Sequence, residues 1–174
     1  MKIITGIGRS GTSVLTQYAK ACGHNIGEAR WLNEYRAGNE DREFIMINQH
    51  IYKVGGGMVN QIRYFDRDVA KDPLFMRDVR ILRHWRALRE DFEIVYCYRD
   101  YEEIAESQRK LPDMMCPAYR CFPDLMKRKE EEFLEACGRW NVPFHILKYP
   151  YEEYNKINKL FGGNKELWET IYSY

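Results

Sequence analysis

Gly6-Ile7-Gly8-Arg9-Ser10-Gly11-Thr12-Ser13 follows the apolar run Ile3-Ile4-Thr5 and precedes a stretch in which Val14, Leu15, Tyr18 and Ala19 recur at helical spacing. A short strand, a glycine-punctuated loop and a helix from Thr12 to about Cys22, stopped by Gly23 and Asn25, form the opening of an α/β unit. Glycines let the backbone turn tightly and come close to an anion. The unpaired N–H groups at the start of the helix point at that anion, and the helix dipole favours its charge. The spacing is GxxxxG, but Thr12 stands where a nucleoside triphosphatase carries its phosphate-binding lysine, and the cation has moved forward to Arg9. This exchange argues against ordinary ATP or GTP hydrolysis and suits an anion at a different distance.

Further along, Phe44 to Ile51 reads as a helix and Gly55-Gly56-Gly57 as a loop. Val69-Ala70-Lys71 reads as a short strand closed by Asp72-Pro73, and Arg77 to Arg89 as a helix with Val79, Leu82, Trp85 and Leu88 inward. Phe92 to Tyr98 is an apolar, β-branched and aromatic run, the pattern of a buried parallel strand. Asp100, with Glu103 three residues on, signals a capping box and a helix to about Pro112. Asp113 to Pro123 reads as a loop or lid, Leu125 to Cys137 as a charged helix, Val142 to Leu147 as a last strand, and the tail beyond Tyr149 as one more helix. The expectation is one α/β domain over residues 1–174. It is a three-layer P-loop-type arrangement with a mainly parallel sheet of four to five strands flanked by helices.

Composition narrows the function classes. A length of 174 residues is one domain's worth, and at that size roughly 70% of the unfolded surface is buried without a disulfide or metal staple. Net charge is +1, which argues against bulk electrostatic binding to nucleic acid or acidic membranes. Cys22, Cys97, Cys116, Cys121 and Cys137 are odd in number with no CxxC, and the four histidines have no metal-ligand spacing. No metal site is expected. The first residues are too short an apolar run for a signal peptide, and no stretch is long and apolar enough for a membrane span. A reduced, cytoplasmic protein is the expectation.

Gly8-Arg9-Ser10-Gly11-Thr12-Ser13 resembles the 5′-phosphosulfate loop of the sulfotransferases that use 3′-phosphoadenosine 5′-phosphosulfate. A second segment agrees: Tyr98-Arg99-Asp100 closes the apolar strand, and Ser107 follows Arg99 by eight residues. An arginine at the carboxyl end of a parallel strand faces the ligand crevice, and its fork suits two phosphate oxygens. In the resembling family such an arginine and serine bind the 3′-phosphate. Lys71-Asp72-Pro73 is similar to a segment whose lysine approaches the bridging oxygen of the phosphosulfate. The resemblance therefore implies a donor site of Gly8, Arg9, Ser10, Gly11, Thr12, Ser13, Arg99 and Ser107, with Arg9 and Lys71 stabilising the leaving group. The partners it implies are this nucleotide donor and a hydroxyl acceptor of unspecified class.

A general base should take the acceptor proton. Some relatives keep a histidine two places after the middle lysine, where this chain has Pro73. The protein-tyrosine type uses a glutamate in a Gly-Glu context, which Gly27-Glu28 resembles. Glu40, in Gly38-Asn39-Glu40-Asp41, is similar to a segment of bacterial relatives. Gly162-Gly163-Asn164-Lys165 is a poor match to the family's closing loop, and the chain is short beside the family. Arg77, Arg80, Arg83, Arg86 and Arg89 spread around their helix and read as a solvated face rather than an acceptor or RNA contact. Two other readings stay open: a P-loop nucleotide kinase or hydrolase, and a non-catalytic nucleotide-binding protein on the same fold. The sequence leaves the oligomeric state open.

Overall fold

A computed structural model describes residues 1–27, 41–54, 58–71, 78–110 and 122–173, the side chains of Arg42 and Val54 excepted. The elements are β1 (Lys2–Gly6), α1 (Thr12–Ala21), α2 (Arg42–Val54), a 3-10 helix (Val59–Tyr64), β2 (Val69–Lys71), α3 (Arg80–Leu88), β3 (Glu93–Tyr98), α4 (Tyr101–Arg109), α5 (Pro123–Arg139), β4 (Phe144–Lys148), α6 (Tyr154–Phe161) and α7 (Lys165–Tyr172). Among the described residues the strands form one parallel sheet in the order β2-β1-β3-β4.

Strand side chains alternate between two helical layers, as the pleat requires. Ile3, Ala70, Ile94 and Tyr96 face the layer of α2, α3, α4 and α5. Ile4, Val69, Val95, Cys97 and Leu147 face α1, α6 and α7. Both faces are covered, which explains why β1 and β3 read as continuous apolar runs rather than as alternation. The first layer is anchored by Trp85, which is fully buried. Its ring centroid lies 4.8 Å from that of Phe44 and 5.5 Å from that of Phe65, and its indole N–H donates to Asn48 Oδ1 at 2.7 Å. Aromatic pairs of this kind add about 0.5–1.5 kcal/mol each beyond their buried area.

Several boundaries differ from the sequence reading, each for a local reason. β4 starts at Phe144 rather than Val142: Pro143 has no N–H for the ladder, and only its carbonyl takes part, accepting from Ile94 N–H at 2.8 Å. α3 starts at Arg80, where Asp78 Oδ1 accepts the Arg80 amide at 3.0 Å. The tail holds two helices, not one. Gly162 and Gly163, with φ of 73° and 85°, end α6, and Asn164 caps α7 by accepting from Leu167 N–H at 2.8 Å. That junction packs on Tyr18 and Cys22 of α1, since a Cβ on Gly163 would lie 2.5 Å from Tyr18 Oη. At α4 only half of the expected capping box forms. Asp100 accepts from the amides of Glu102 and Glu103, while the Glu103 carboxylate turns away to Arg99.

Arg80 and Arg83 of α3 are exposed, as expected of a solvated face, while Arg86 and, just after the helix, Arg89 brace the fold. Arg86 donates to Trp140 O and Glu90 O, and Arg89 donates to Asp91 and to Phe65 O. No described helix is long and apolar enough to cross a membrane. Among the described residues no group of three His, Cys, Asp or Glu side chains is gathered as a metal site requires. Cys97 and Cys137 are buried, and burial pushes both thiols up to about 12.

In the parallel register Gly6 stands beside Cys97, and the fit is tight. A Cβ on Gly6 would lie 2.5 Å from Ser10 Oγ and 2.6 Å from Cys97 O. Gly6→Ala is therefore expected to cost about 1–3 kcal/mol of stability through overpacking. Gly138→Ala, in α5 with open space around it, is expected to gain roughly 0.5 kcal/mol. Urea unfolding of the two variants beside the parent checks both signs, and equal stabilities would refute the tight-fit account.

Candidate phosphate-binding site

The chain runs from β1 to β2 on one side and later returns to place β3 on the other side of β1. In open α/β sheets such a switch point leaves a crevice outside the carboxyl ends of the two central strands. Because Gly6 is in register with Cys97, the loop after β1 and the residues after β3 leave the sheet at the same level. Lys71 closes β2 beside Ile4 and reaches upward into the same region.

The loop ends at the start of α1, where the N-cap position is a glycine and brings no capping side chain of its own. Gly11, at φ 94°, precedes α1 without a capping hydrogen bond, and the first turn of α1 has no acidic residue. The Ser13 hydroxyl accepts from Lys71 Nζ at 2.8 Å, which places a largely buried ammonium beside that terminus. Arg9 is exposed, and its φ of 81° is a left-handed conformation unusual outside glycine. Its Nε donates to Ser107 Oγ of α4 at 3.1 Å. Residues 98 positions apart in the chain, chosen from two separate motifs, therefore touch.

Arg99 sits between them. One terminal nitrogen donates to Arg9 O at 3.2 Å, Nε donates to Glu103 at 3.0 Å, and the guanidinium lies over the Tyr149 ring at 4.6 Å. The stacked face and the Glu103 pair hold the fork in one orientation. Two further residues, absent from the sequence reading, complete the loop's surroundings. Gln108 Nε2 donates to Gly8 O at 2.9 Å, and Tyr151 Oη donates to Ser10 O at 3.3 Å. Burial, with Cys97 next in effect, pushes the Tyr151 phenol well above its ordinary value, so it stays an O–H donor. Tyr149 and Tyr151 also fill the space behind Gly11, where a Cβ would lie 2.8 Å from each.

The expected residues thus divide. Gly8, Arg9, Gly11, Thr12, Ser13, Lys71, Arg99 and Ser107 gather at the crevice. Ser10 joins through its backbone only: it is fully buried, and its Oγ turns under the loop toward Gly6 without a hydrogen-bond partner among the described residues. Glu28 and Glu40 lie outside the described residues, as do Asp72 and Pro73. The described neighbours Gly27 and Asp41 meet beside Arg67, where Asp41 Oδ2 accepts from Arg67 Nε at 2.7 Å. The adjoining Asp68 and Val69 amides both donate to Asn25 O, and Asp68 O accepts from Lys2 N–H, so this corner is the amino-terminal edge of the sheet.

No family model matches the chain, and no curated protein matches it. Among solved structures it is similar to the sulfotransferase domain from the Synechococcus PCC 7002 olefin synthase, with a TM-score of 0.61 at 17% sequence identity. The match covers 100% of this chain and 77% of that chain. At that identity the likeness concerns the fold: the chain has the mainly parallel, helix-flanked α/β architecture of a sulfotransferase domain.

Proposed function

We propose that the crevice takes 3′-phosphoadenosine 5′-phosphosulfate and that the chain transfers its sulfuryl group to a hydroxyl acceptor. The observation that carries this reading is the meeting of Arg9, Ser107, Arg99 and Lys71 at the glycine-started terminus of α1, from three separate strand ends. The donor set is all amides, hydroxyls and cations, which suits a substrate with two phosphate-type groups. The amides from Gly8 to Ser13, apart from that of Ser10, which bonds Ile7 O, would hold the 5′-phosphate. Ser107 and the remaining nitrogen of Arg99 would hold the 3′-phosphate.

In the reaction the acceptor oxygen attacks sulfur in line, the bond from sulfur to the 5′-phosphate oxygen breaks, and its electron pair leaves with adenosine 3′,5′-bisphosphate. Such transfers depend on position and charge neutralisation more than on covalent help. Arg9 and Lys71 would meet the charge growing on the leaving oxygen, an effect of roughly 3 kcal/mol per well-aimed donor. The acceptor hydroxyl gives up its proton to a general base, for which Glu28 and Glu40, both outside the described residues, are the candidates.

Calorimetric titration with adenosine 3′,5′-bisphosphate, with ATP and magnesium as control, tests the donor site. The expected result is bisphosphate binding that exceeds ATP binding and weakens about tenfold to a hundredfold in Arg99→Ala, the loss of a charge-assisted hydrogen bond. ATP binding in place of the bisphosphate would refute the proposal in favour of a nucleotide kinase or hydrolase. Arg9 gives a separate check, because its backbone strain and its charge act in opposite directions. Arg9→Gly is expected to stabilise the fold by about 1 kcal/mol while it weakens bisphosphate binding, whereas Arg9→Ala weakens binding with no gain. Urea unfolding and calorimetry on the two variants separate the effects.

A further inference from the structure

Three consecutive carbonyls of the loop each accept a hydrogen bond from a different part of the chain. Gly8 O is held by Gln108 of α4, Arg9 O by Arg99 after β3, and Ser10 O by Tyr151 after β4. In a trans peptide the N–H points opposite to the C=O. Tying back Gly8 O turns the Arg9 amide away from Gln108, and tying back Ser10 O turns the Gly11 amide away from Tyr151. Gln108 and Tyr151 are both buried, while Gly8 and Arg9 are exposed, so the turned amides face the open side. The Ser10 amide is committed to Ile7 O at 3.0 Å, so of the two peptides that Gln108 and Tyr151 hold, the Arg9 and Gly11 amides serve as loop donors beside those of Gly8 and the helix terminus.

We propose that Gln108 and Tyr151 are positioning residues of the phosphate loop, holding its peptide groups so that N–H bonds and not carbonyl oxygens face the anion. The inference rests on the reading of this loop as the donor's phosphate site. A peptide flip would present a carbonyl dipole to a phosphate and repel it. A loop free to flip binds with its intrinsic affinity multiplied by the fraction of time spent in the right orientation. Neither side chain need touch the ligand for its loss to weaken binding. The two hold the peptides on either side of Arg9 O in the chain, so release of one leaves only one of its neighbours fixed.

Tyr151→Phe and Gln108→Met remove the donors at nearly constant volume, so circular dichroism should report both variants as folded. Each should weaken adenosine 3′,5′-bisphosphate binding by roughly fivefold to tenfold, the effect of one hydrogen bond on the loop's orientation. The amide NMR signals of Arg9 and Gly11 should move in the ligand-free variants, a response that a purely structural role elsewhere in α4 or after β4 would not produce. Folded variants that bind within twofold of the parent, or amide signals that stay in place, would overturn the inference. A parent that fails to bind the bisphosphate while the amide signals do move in the variants would instead remove the donor-site reading and leave the positioning of the loop standing.

Discussion

The parallel pairing of β1 with β3, which sets Gly6 against Cys97, is the constraint on which the site depends. It brings two chain segments out of the sheet at one height. The glycine is required because Ser10 Oγ and the Cys97 carbonyl already occupy the space where a side chain would stand. From that contact follow the sharp exit of the loop, the left-handed backbone at Arg9 and Gly11, and the start of α1 without a cap. A slip of one residue between the strands would turn the apolar set of β3 toward the wrong layer and also separate Arg99 from the loop it supports.

Much of this arrangement was legible in the sequence, for identifiable reasons. Strands buried on both faces produce unbroken apolar runs, so β1 and β3 stood out, and glycines at a strand end marked the loop. Arg99 and Ser107 could be paired because one strand end and one helical repeat relate them. The boundaries were less legible, since they turn on single interactions: the missing N–H of Pro143, the Asp78 contact at α3, the two left-handed glycines that split the tail. Glu103 looked like half of a capping box, but its carboxylate had a stronger cationic partner one turn back.

Gln108 and Tyr151 were missed for different reasons. Gln108 lies four residues after Ile104 and shares its buried stripe, so a polar amide on an inward face was a signal available in the sequence. Tyr149 and Tyr151 follow β4 as Arg99 follows β3, and the rule that strand ends face the crevice covers them too. Thirteen tyrosines made any one of them unremarked, and only the three-dimensional packing on Gly11 distinguishes these two.

The two helical layers draw on different stretches of chain, and this sets an order of assembly. The layer of α2 to α5 is built from the middle of the sequence, while α1 must wait for α6 and α7 to cover it. Tyr151 is 141 residues beyond the carbonyl it holds. During synthesis the glycine loop emerges well before its back wall and its last tie, which lie beyond β4. A growing chain therefore presents the glycine loop before that loop has its final shape, which comes only once the helices after β4 have closed over α1.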